Sequence, residues 1–307
     1  MNNVARAHAV QTAVKRKFYG NRTLHSKVVT HFPVSISDEY ERTVQAYMGM
    51  LNQVLRSHLP TIRRAIAAEQ SEMRQDSVSD VLALIGRVFI DINTGFSRRA
   101  RHFGLERRIE RLAAMSRRHS VREWKRVVHR TLGISIMEGY YAGEFYRHAL
   151  ERWTANNASL IKSLPDQTLT RMQNIIQNGY FEGKSNAEMG RLIQDAYGVD
   201  RNRALFIARD QTAKLNSDLT KQQQEDAGVE EYVWDSSGDS RVRECHAYLN
   251  GKTFRWDDPP EMWYMTKRRG RVYTGRRCHP GEDYQCRCVA LPKFRLETLN
   301  LPWEGDT

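Results

Sequence analysis

The chain has 307 residues, of which 40% are apolar, and it carries a net charge of +12 with a mean hydropathy of −0.66. No apolar run approaches the roughly 20 residues needed to cross a bilayer, so we expect no membrane span. Residues 1–20 lack the continuous apolar core and cleavage site of a secretory signal. We therefore expect the four cysteines to be in a reducing compartment, where metal binding is more common than disulfides.

Positive charge is concentrated in the first half of the chain. Residues 1–150 carry 25 lysines and arginines against 13 aspartates and glutamates, whereas residues 151–307 carry 23 of each kind. This asymmetry predicts a polyanionic partner, double-stranded DNA, although a solvated helix surface would also account for it. The densest stretch, residues 97–130, supplies the candidate DNA-binding residues Arg98, Arg99, Arg101, Arg107, Arg108, Arg111, Arg117, Arg118, Arg122, Lys125 and Arg126.

The chain up to about residue 225 has the apolar spacing of helices. The first long helix begins after Ser and Asp residues at plausible cap positions and has apolar residues at three- and four-residue steps. This apolar stripe requires a core or a partner, and we expect the helices before residue 225 to make the main contact with a partner protein. Its members are Tyr40, Val44, Tyr47, Met48, Leu51, Val54 and Leu55.

Proline and glycine residues predict where these helices stop. We expect Pro60 to interrupt the first long helix, and Gly95 or Gly104 to separate the next two. A later helix should fray or bend near Asn156, before Pro165.

The region before residue 228 predicts three further helices. Ser185 and Glu188 have the spacing of a capping box at the start of the second helix. Gly198 is expected to end that helix, so that a third begins just after it.

Five residues are expected to have structural roles. Arg209 and Asp210 lie on the third of these helices, where a buried Arg–Asp network is the expectation. Trp234 belongs to a predicted strand, and Asp239 belongs to the turn that follows it. Gly251 completes an Asn-Gly pair, which is a strong hairpin signal.

The pattern changes from helices to strands after Gly228. Residues 231–256 predict a strand, a turn and a second strand. Residues 257–275 predict an extended loop with a basic and aromatic tip, which suits DNA or an acidic surface better than an apolar interface.

All four cysteines lie in the last quarter of the chain, close to histidines. Cys245 precedes His246, while Cys278, Cys286 and Cys288 fall within the stretch "RRCHPGEDYQCRC". Three interpretations follow from the residues: a metal site, reduced buried cysteines beside histidines that hydrogen-bond the loop, or a disulfide.

The order of motifs from residue 153 to residue 292 resembles a known family. "ASLIKSLP" is followed by "GYFEGKSNAEMGRLI", "ALFIARDQTAKLN", "YVWDSSGDSRVRECHAYLNGKTF" and "HPG…CRC". Together these resemble the phage Mu F-type minor head proteins, a family of phage head morphogenesis proteins. Residues 1–150 resemble them only in general style.

The resemblance also implies a ligand set. The family carries His or Cys at the position of His246, His279 matches its His-Pro, and Cys286 and Cys288 match its Cys-Arg-Cys. These four residues are the expected zinc ligands, with Cys245 or Cys278 as alternates for a histidine. Zinc would supply folding free energy to a sheet domain with a small core.

The predicted fold class is α+β, with a mostly helical N-terminal two-thirds followed by a small β-rich, zinc-stapled C-terminal module. The predicted domains are a basic helical region (1–150) that contacts portal and DNA, the helical part of the head-morphogenesis domain (151–227), the Cys/His module (228–298) and a tail (299–307).

The resemblance implies a minor head protein that acts at the portal vertex of a tailed phage, binds DNA non-specifically and leaves with the genome. Its implied partners are the portal protein and double-stranded DNA, with scaffold or major capsid protein as further candidates. Its implied location is inside the capsid near the portal, after assembly in the host cytoplasm.

Two other classes of protein remain open on the residues alone. One is a free nucleic-acid-binding protein, and the other is a zinc-dependent nuclease in which His246, Asp239 and His279 hold a metal-activated water. The sequence contains no phosphate loop, dinucleotide fingerprint or His-Glu-x-x-His motif, so we expect no enzyme. Some relatives carry a toxin domain after this module; the chain ends fifteen residues after "CRCVALP", so we expect none here.

Overall fold

The computed structural model describes residues 3–72, 78–182 and 184–303. The chain divides into two compact units. One, which we call the sheet unit, consists of residues 1–36, 113–151 and 210–307. The other, the helical unit, consists of residues 37–112 and 152–209.

Helices account for most of the chain, and a small β-rich region follows at the C-terminal end, which confirms the α+β class. The α-helices are α1 (Asn3–Val14), α2 (Val34–Glu72), α3 (Val78–Phe103), α4 (Leu105–Leu132), α5 (Glu144–Phe181), α6 (Asn186–Asp226) and α7 (Glu244–Leu249). The strands are β1 (Thr23–His25), β2 (Glu231–Asp235), β3 (Thr253–Arg255), β4 (Glu261–Thr266), β5 (Gly270–Arg277) and β6 (Val289–Arg295). No helix within the described ranges is both long enough and apolar enough to span a membrane.

The apolar stripe of α2 forms the core of the helical unit. All seven of its residues are buried. Tyr47 packs edge-on against Phe96 of α3, with ring centroids 5.3 Å apart, and the Tyr40 hydroxyl donates a hydrogen bond to Asn157 Oδ1 at 2.9 Å. Of the two alternatives for this stripe, a core or a partner, the structure shows the core, because the fold itself covers these residues.

Two prolines that were expected to mark helix ends lie inside helices. Helix α2 continues through Pro60 and helix α5 continues through both Asn156 and Pro165. A proline removes one backbone hydrogen bond, but Leu55 and Ile62 on either side of Pro60 are buried, so packing outweighs the loss.

The two candidate breaking glycines behave differently. Gly104 has a φ of 65° and separates α3 from α4. Gly95 lies inside α3, where an added Cβ would lie 3.1 Å from Val54 Cγ1. Because Gly95 has no side chain, α3 can pack closely against α2 at this position. The glycine does not break the helix.

The region before residue 228 contains two long helices in place of three short ones. The capping box is confirmed: the Ser185 backbone N–H donates to Glu188 Oε2 at 2.9 Å, and the Glu188 backbone N–H donates to Ser185 Oγ at 3.3 Å. Helix α6 then runs through Gly198, where an added Cβ would meet nothing within 4 Å. A glycine inside a helix lowers helix stability by about 1 kcal/mol relative to alanine. This loss is too small to end α6 at Gly198.

The main sheet of the sheet unit is antiparallel with strand order β1-β6-β2-β3. Strand β1 comes from the N-terminal segment and pairs with β6, so Leu24 lies opposite Phe294. Helix α6 binds the sheet through Gln224 Nε2, which donates to the Ala290 carbonyl at 2.8 Å. The C-terminal strands therefore depend on a strand near the other end of the chain.

Residues 231–277 contain more regular structure than the sequence predicted. The six-residue helix α7 lies between β2 and β3, because Cys245 and Leu249 have helical spacing and are both buried. The segment expected to be an extended loop forms the β4–β5 hairpin, with Trp263 opposite Tyr273 and a turn at residues 267–269.

Candidate metal centre

Three of the predicted ligands meet in the interior of the sheet unit. His246, Cys286 and Cys288 are all buried, and their ligand atoms lie within 4.8 Å of one another. His246 Nδ1 lies 3.5 Å from Cys286 Sγ and 3.6 Å from Cys288 Sγ. One nitrogen and two sulfurs thus converge on a common point.

Local structure explains why these residues meet. Helix α7 places His246 against the ring of Trp234, with ring centroids 5.4 Å apart. Cys286 and Cys288 precede β6 and continue its alternation, in which Arg287 is half-buried and Ala290 is buried. Residues two apart in such a segment face the same side, so both sulfurs point inward.

The separations fit a tetrahedral cation. Zinc binds sulfur at about 2.3 Å and imidazole nitrogen at about 2.0 Å, so tetrahedral angles place nitrogen and sulfur about 3.6 Å apart. The two nitrogen–sulfur distances, 3.5 and 3.6 Å, agree with that value. The site can therefore hold a metal ion with three protein ligands.

Asp283, which the sequence analysis missed, orients the histidine. Its carboxylate accepts from His246 Nε2 at 3.3 Å, from Arg276 at 2.7 Å and from Arg243 at 3.3 Å. Burial alone would raise the pKa of Asp283, but the hydrogen bonds from His246 and Arg276 hold that pKa well below its usual range. A carboxylate behind a ligand histidine fixes its tautomer and strengthens metal binding.

Hydrogen bonds link the side chains of His246, Cys286 and Cys288. Burial lowers the pKa of His246, but the hydrogen bonds with Asp283 and Cys286 outweigh burial and raise it to about 9. The hydrogen bond from Cys288 lowers the pKa of Cys286, and the same bond raises that of Cys288. The three groups share protons that a metal ion would displace, so metal affinity should rise with pH.

The structure places His279, the fourth predicted ligand, outside this cluster. The Tyr232 hydroxyl lies 2.8 Å from His279 Nδ1, and Lys221 Nζ lies 3.4 Å from its Nε2. The ring of His279 packs against Trp256 at 4.7 Å between centroids. His279 is therefore a buried histidine that joins α6, β2 and the following loop.

The environment of His279 predicts an acid-sensitive fold. Burial, together with the charge of Lys221, lowers the pKa of His279 from 6.5 to about 4. Between these values the unfolded chain binds a proton that the folded chain does not, so stability is lost as pH falls through this window, by up to about 3 kcal/mol. We expect His279→Gln to flatten the pH dependence of unfolding between pH 6.5 and 4, as measured by urea denaturation.

A matched control is available for this measurement. His148→Gln removes an exposed histidine of the same unit and serves as the control for loss of an imidazole. An unchanged slope in His279→Gln would contradict the assignment of His279 as a neutral buried residue.

The other two cysteines do not join the cluster, and all four cysteines are free. Cys278 is half-buried, and burial raises its pKa to about 11, which keeps it a thiol. Burial also raises the pKa of Cys245. Neither the alternate ligand assignments nor the disulfide interpretation is found in the structure.

Three of the residues that were expected to have structural roles lie near the metal centre: Trp234, Gly251 and Asp239. Trp234 is fully buried, and its carbonyl accepts from the N–H of Gly251 at 2.8 Å. Gly251 has a φ of 75°, which suits glycine. Asp239 binds Arg287 at 2.5 Å and caps the N–H of Arg241 at 3.0 Å, so it is not directed at the metal centre.

Arg209 and Asp210 do not form the expected network. Arg209 is exposed and binds Glu41 through two hydrogen bonds of 2.5 and 3.1 Å. Asp210 is buried, where it pairs with Lys214 at 2.7 Å and accepts from the N–H of Gln285 at 2.9 Å. Successive helical residues point in directions about 100° apart, which separates the two side chains.

Comparison with protein families places the metal centre in a known domain. Residues 170–291 match the family described as phage Mu protein F like protein. We refer to this matched segment as the Mu F like domain. This Mu F like domain contains His246, Cys286 and Cys288 together with Asp283.

Two relatives extend the similarity. The chain is 27% identical to an uncharacterized protein of Haemophilus influenzae over 260 residues, which cover 85% of this chain and 54% of that protein. It is 30% identical over 132 residues to an NAD(+)–arginine ADP-ribosyltransferase EFV of Enterococcus faecalis, which cover 41% of this chain and 26% of that protein. The chain thus spans about half the length of the first and about a quarter of the second. No solved structure matches the chain.

The candidate DNA-binding residues lie before the Mu F like domain and belong to both units. Arg98, Arg99, Arg101, Arg107, Arg108 and Arg111 are exposed residues of the helical unit. The sheet unit contains exposed Arg118 and Arg122 and half-buried Arg117, Lys125 and Arg126.

Part of this charge is matched by neighbouring groups. Lys125 pairs with Glu138 at 2.9 Å, and Arg126 pairs with Glu123 at 2.6 Å. Arg108 stacks on Phe103, with its guanidinium carbon 4.4 Å from the ring centroid. The charges of Lys125 and Arg126 are therefore less available to phosphates than a count of basic residues indicates.

Proposed function

We propose that this chain is a minor head protein of a tailed bacteriophage that acts in head morphogenesis at the portal vertex. The observation that carries the proposal is the Mu F like domain at residues 170–291. The excess of positive charge before that domain supports contact with packaged DNA, because neutralising phosphates releases counterions. On this proposal the protein is located in the virion and leaves with the genome.

We assign the metal centre a structural role with zinc as the metal. His246, Cys286 and Cys288 would hold the ion, and a non-protein ligand would take the fourth tetrahedral position. Zinc would supply folding free energy by joining α7 to the segment before β6. The cavity beside Cys286 and Cys288 has a volume of about 10 Å³, which leaves room for one water, whereas His246 and Asp283 line a separate cavity of about 170 Å³.

A nuclease is a less suitable reading of the site. It would require His246, Asp239 and His279 to surround one metal-activated water. Asp239 is held by Arg287, and His279 is held by Tyr232. We therefore propose a protein without catalytic activity.

The portal contact requires an exposed apolar surface, since the stripe of α2 lies in the core. Helix α6 exposes Leu192, Val199 and Phe206 at seven-residue steps, which places them on one face. We assign this face, rather than the metal module, to the portal ring. A helix face of this kind can dock into a groove on a partner.

The double variant Leu192→Glu with Val199→Glu tests this assignment in the full chain. We expect the protein to fold, because both side chains are exposed, and to be absent from purified phage heads. Mass spectrometry of heads, together with crosslinking to the portal, measures incorporation. The control, Gln194→Glu with Asn202→Glu, adds the same charge at exposed polar positions of α6 and should be incorporated normally.

Two outcomes would separate the parts of the proposal. Wild-type protein that is missing from purified heads would overturn the minor head assignment as a whole. Normal incorporation of the Leu192 and Val199 variant would overturn only the docking face.

A further inference from the structure

The β4–β5 hairpin and the turn before β3 carry positive charges that have no acidic partner. Across residues 3–72, 78–182 and 184–303, the ion pairs include no carboxylate bound to Lys252, Lys267, Arg268, Arg269 or Arg271. All five side chains are exposed. We call these five residues the basic patch.

The base of the same hairpin is neutralised. Arg276 binds Asp283 at 2.7 Å, and Arg277 binds Asp258. The cavity of about 170 Å³ beside the hairpin is lined by Arg276 and by Arg243, which also binds Asp283. Within the hairpin, the unmatched charge therefore lies at the turn and at the start of β5.

Aromatic rings hold part of the patch in place. The Arg271 guanidinium carbon lies 4.1 Å from the ring centroid of Trp263 and 4.5 Å from that of Tyr248. Lys252 Nζ lies 3.0 Å from the ring centroid of Tyr248. These contacts tie the hairpin to α7, so two of the five cations are positioned before any ligand arrives, which lowers the entropy lost on binding.

The shape of the hairpin favours a nucleic acid over a membrane. The turn at residues 267–269 consists of Lys267, Arg268 and Arg269 and offers no apolar side chain for insertion into a bilayer. The exposed side chains of Tyr264, Met265 and Tyr273 lie along the strands, behind the turn. A two-stranded ribbon also fits the major groove of B-DNA, which is about 12 Å wide.

We propose that the basic patch binds the phosphate backbone of double-stranded DNA, with the β4–β5 ribbon in a groove of the duplex. Binding is independent of sequence, since the cations contact phosphates, while Tyr264 and Tyr273 lie against the sugars and groove walls. This surface is separate from the arginines of α3 and α4, and the inference rests on the hairpin alone, not on the phage assignment.

The experiment compares two triple variants of the full chain that lose the same charge. One replaces Lys267, Arg268 and Arg269 by Gln, and the other replaces Arg107, Arg108 and Arg111 by Gln. Binding to a fluorescent 20-base-pair duplex is followed by anisotropy at several salt concentrations. We expect the hairpin variant to bind at least about tenfold more weakly and to flatten the slope of log affinity against log salt by about 3.

A third variant controls for net charge within the same unit. Arg255, Arg277 and Arg295 are each paired with carboxylates, so replacing all three by Gln removes three charges that are already matched. This variant should keep most of the salt slope. The charge-conserving pair Arg268→Lys with Arg269→Lys should bind as the wild type, and thermal melting checks that every variant is folded.

The outcomes separate this inference from the proposed function. Wild-type affinity in the hairpin variant, or an equal loss in the paired-charge control, overturns the hairpin site. Binding to polyglutamate or to anionic phosphatidylserine vesicles as tight as binding to DNA overturns the choice of ligand. A loss in the hairpin variant with none in the α4 variant supports the hairpin and removes α4 as a DNA surface, whatever the result for phage heads.

Discussion

Replacing Cys286 and Cys288 together by serine will release a bound metal and unfold the sheet unit preferentially. A protein purified without chelator should contain about one zinc per chain, and the double variant should contain none. Loss of a metal present at a thousand times its dissociation constant lowers stability by about 4 kcal/mol. Elemental analysis measures the metal, and hydrogen exchange should show lost protection in residues 228–303 but not in residues 37–112.

The chain offers matched controls for this result. Cys245→Ser with Cys278→Ser removes the two cysteines that lie outside the cluster and should leave the metal bound. His279→Gln should also keep the metal, because that histidine binds Tyr232. Loss of metal in the His279 variant would restore the four-ligand site, and zinc retained without Cys286 and Cys288 would exclude the cluster altogether.

Gly228→Ala will destabilise the sheet unit by at least about 4 kcal/mol. Gly228 lies between α6 and β2 with a φ of 75°, and an added Cβ would lie 1.8 Å from the carbonyl oxygen of Thr298. That oxygen belongs to the backbone, which is held nearby because Thr298 Oγ1 donates to the Gly228 carbonyl at 2.7 Å. Neither side can move without breaking contacts, and clashes of this kind give the largest single-residue losses.

Gly251→Ala measures the backbone part of this effect without the steric clash. Gly251 has the same φ of 75°, but an added Cβ there would meet no atom within 4 Å. The left-handed backbone alone should reduce stability by about 1–2 kcal/mol. Urea denaturation of both variants gives the difference directly, and equal losses would contradict the contact with Thr298.

The sequence was most informative where one local pattern decides the outcome. The spacing of Tyr40, Val44, Tyr47 and Leu51 predicts a buried helix face, and these residues are buried. The capping box at Ser185 also follows from residue types three positions apart. Such features depend on neighbours along the chain, so a single sequence contains them.

Features that depend on distant residues were not predictable in the same way. His246 and His279 each follow a cysteine, so the sequence does not distinguish them. In the structure, His279 lies beside the Tyr232 hydroxyl, whereas His246 lies beside Cys286. Asp283 was missed because a carboxylate in a polar loop has no pattern of its own. The position of Asp283 could have indicated its role, since Asp283 lies three residues before Cys286 in the loop that connects the candidate ligands His279 and Cys286.

The β4–β5 hairpin was missed for a different reason. Its turn consists of Lys267, Arg268 and Arg269, which are not typical turn residues, and only Gly270 follows with a φ of 64°. The apolar stripe of α2 indicates that this helix face is covered, but it does not indicate whether the core or a partner protein covers it. Both cases required tertiary contacts to resolve.

The pairing of β1 with β6 sets an order of events during synthesis. Residues 37–112 and 152–209, the helical unit, have all left the ribosome while the strand Val289–Arg295 has yet to be made. The helical unit can therefore fold first, whereas Thr23–His25 must wait for almost the last segment of the chain before it gains its neighbour. Cys286 and Cys288 emerge just before that strand, so a metal at the proposed site would bind at the same late stage at which the sheet closes. A nascent chain stalled before residue 286 would carry a folded helical unit and a sheet unit that lacks both β6 and the two cysteines.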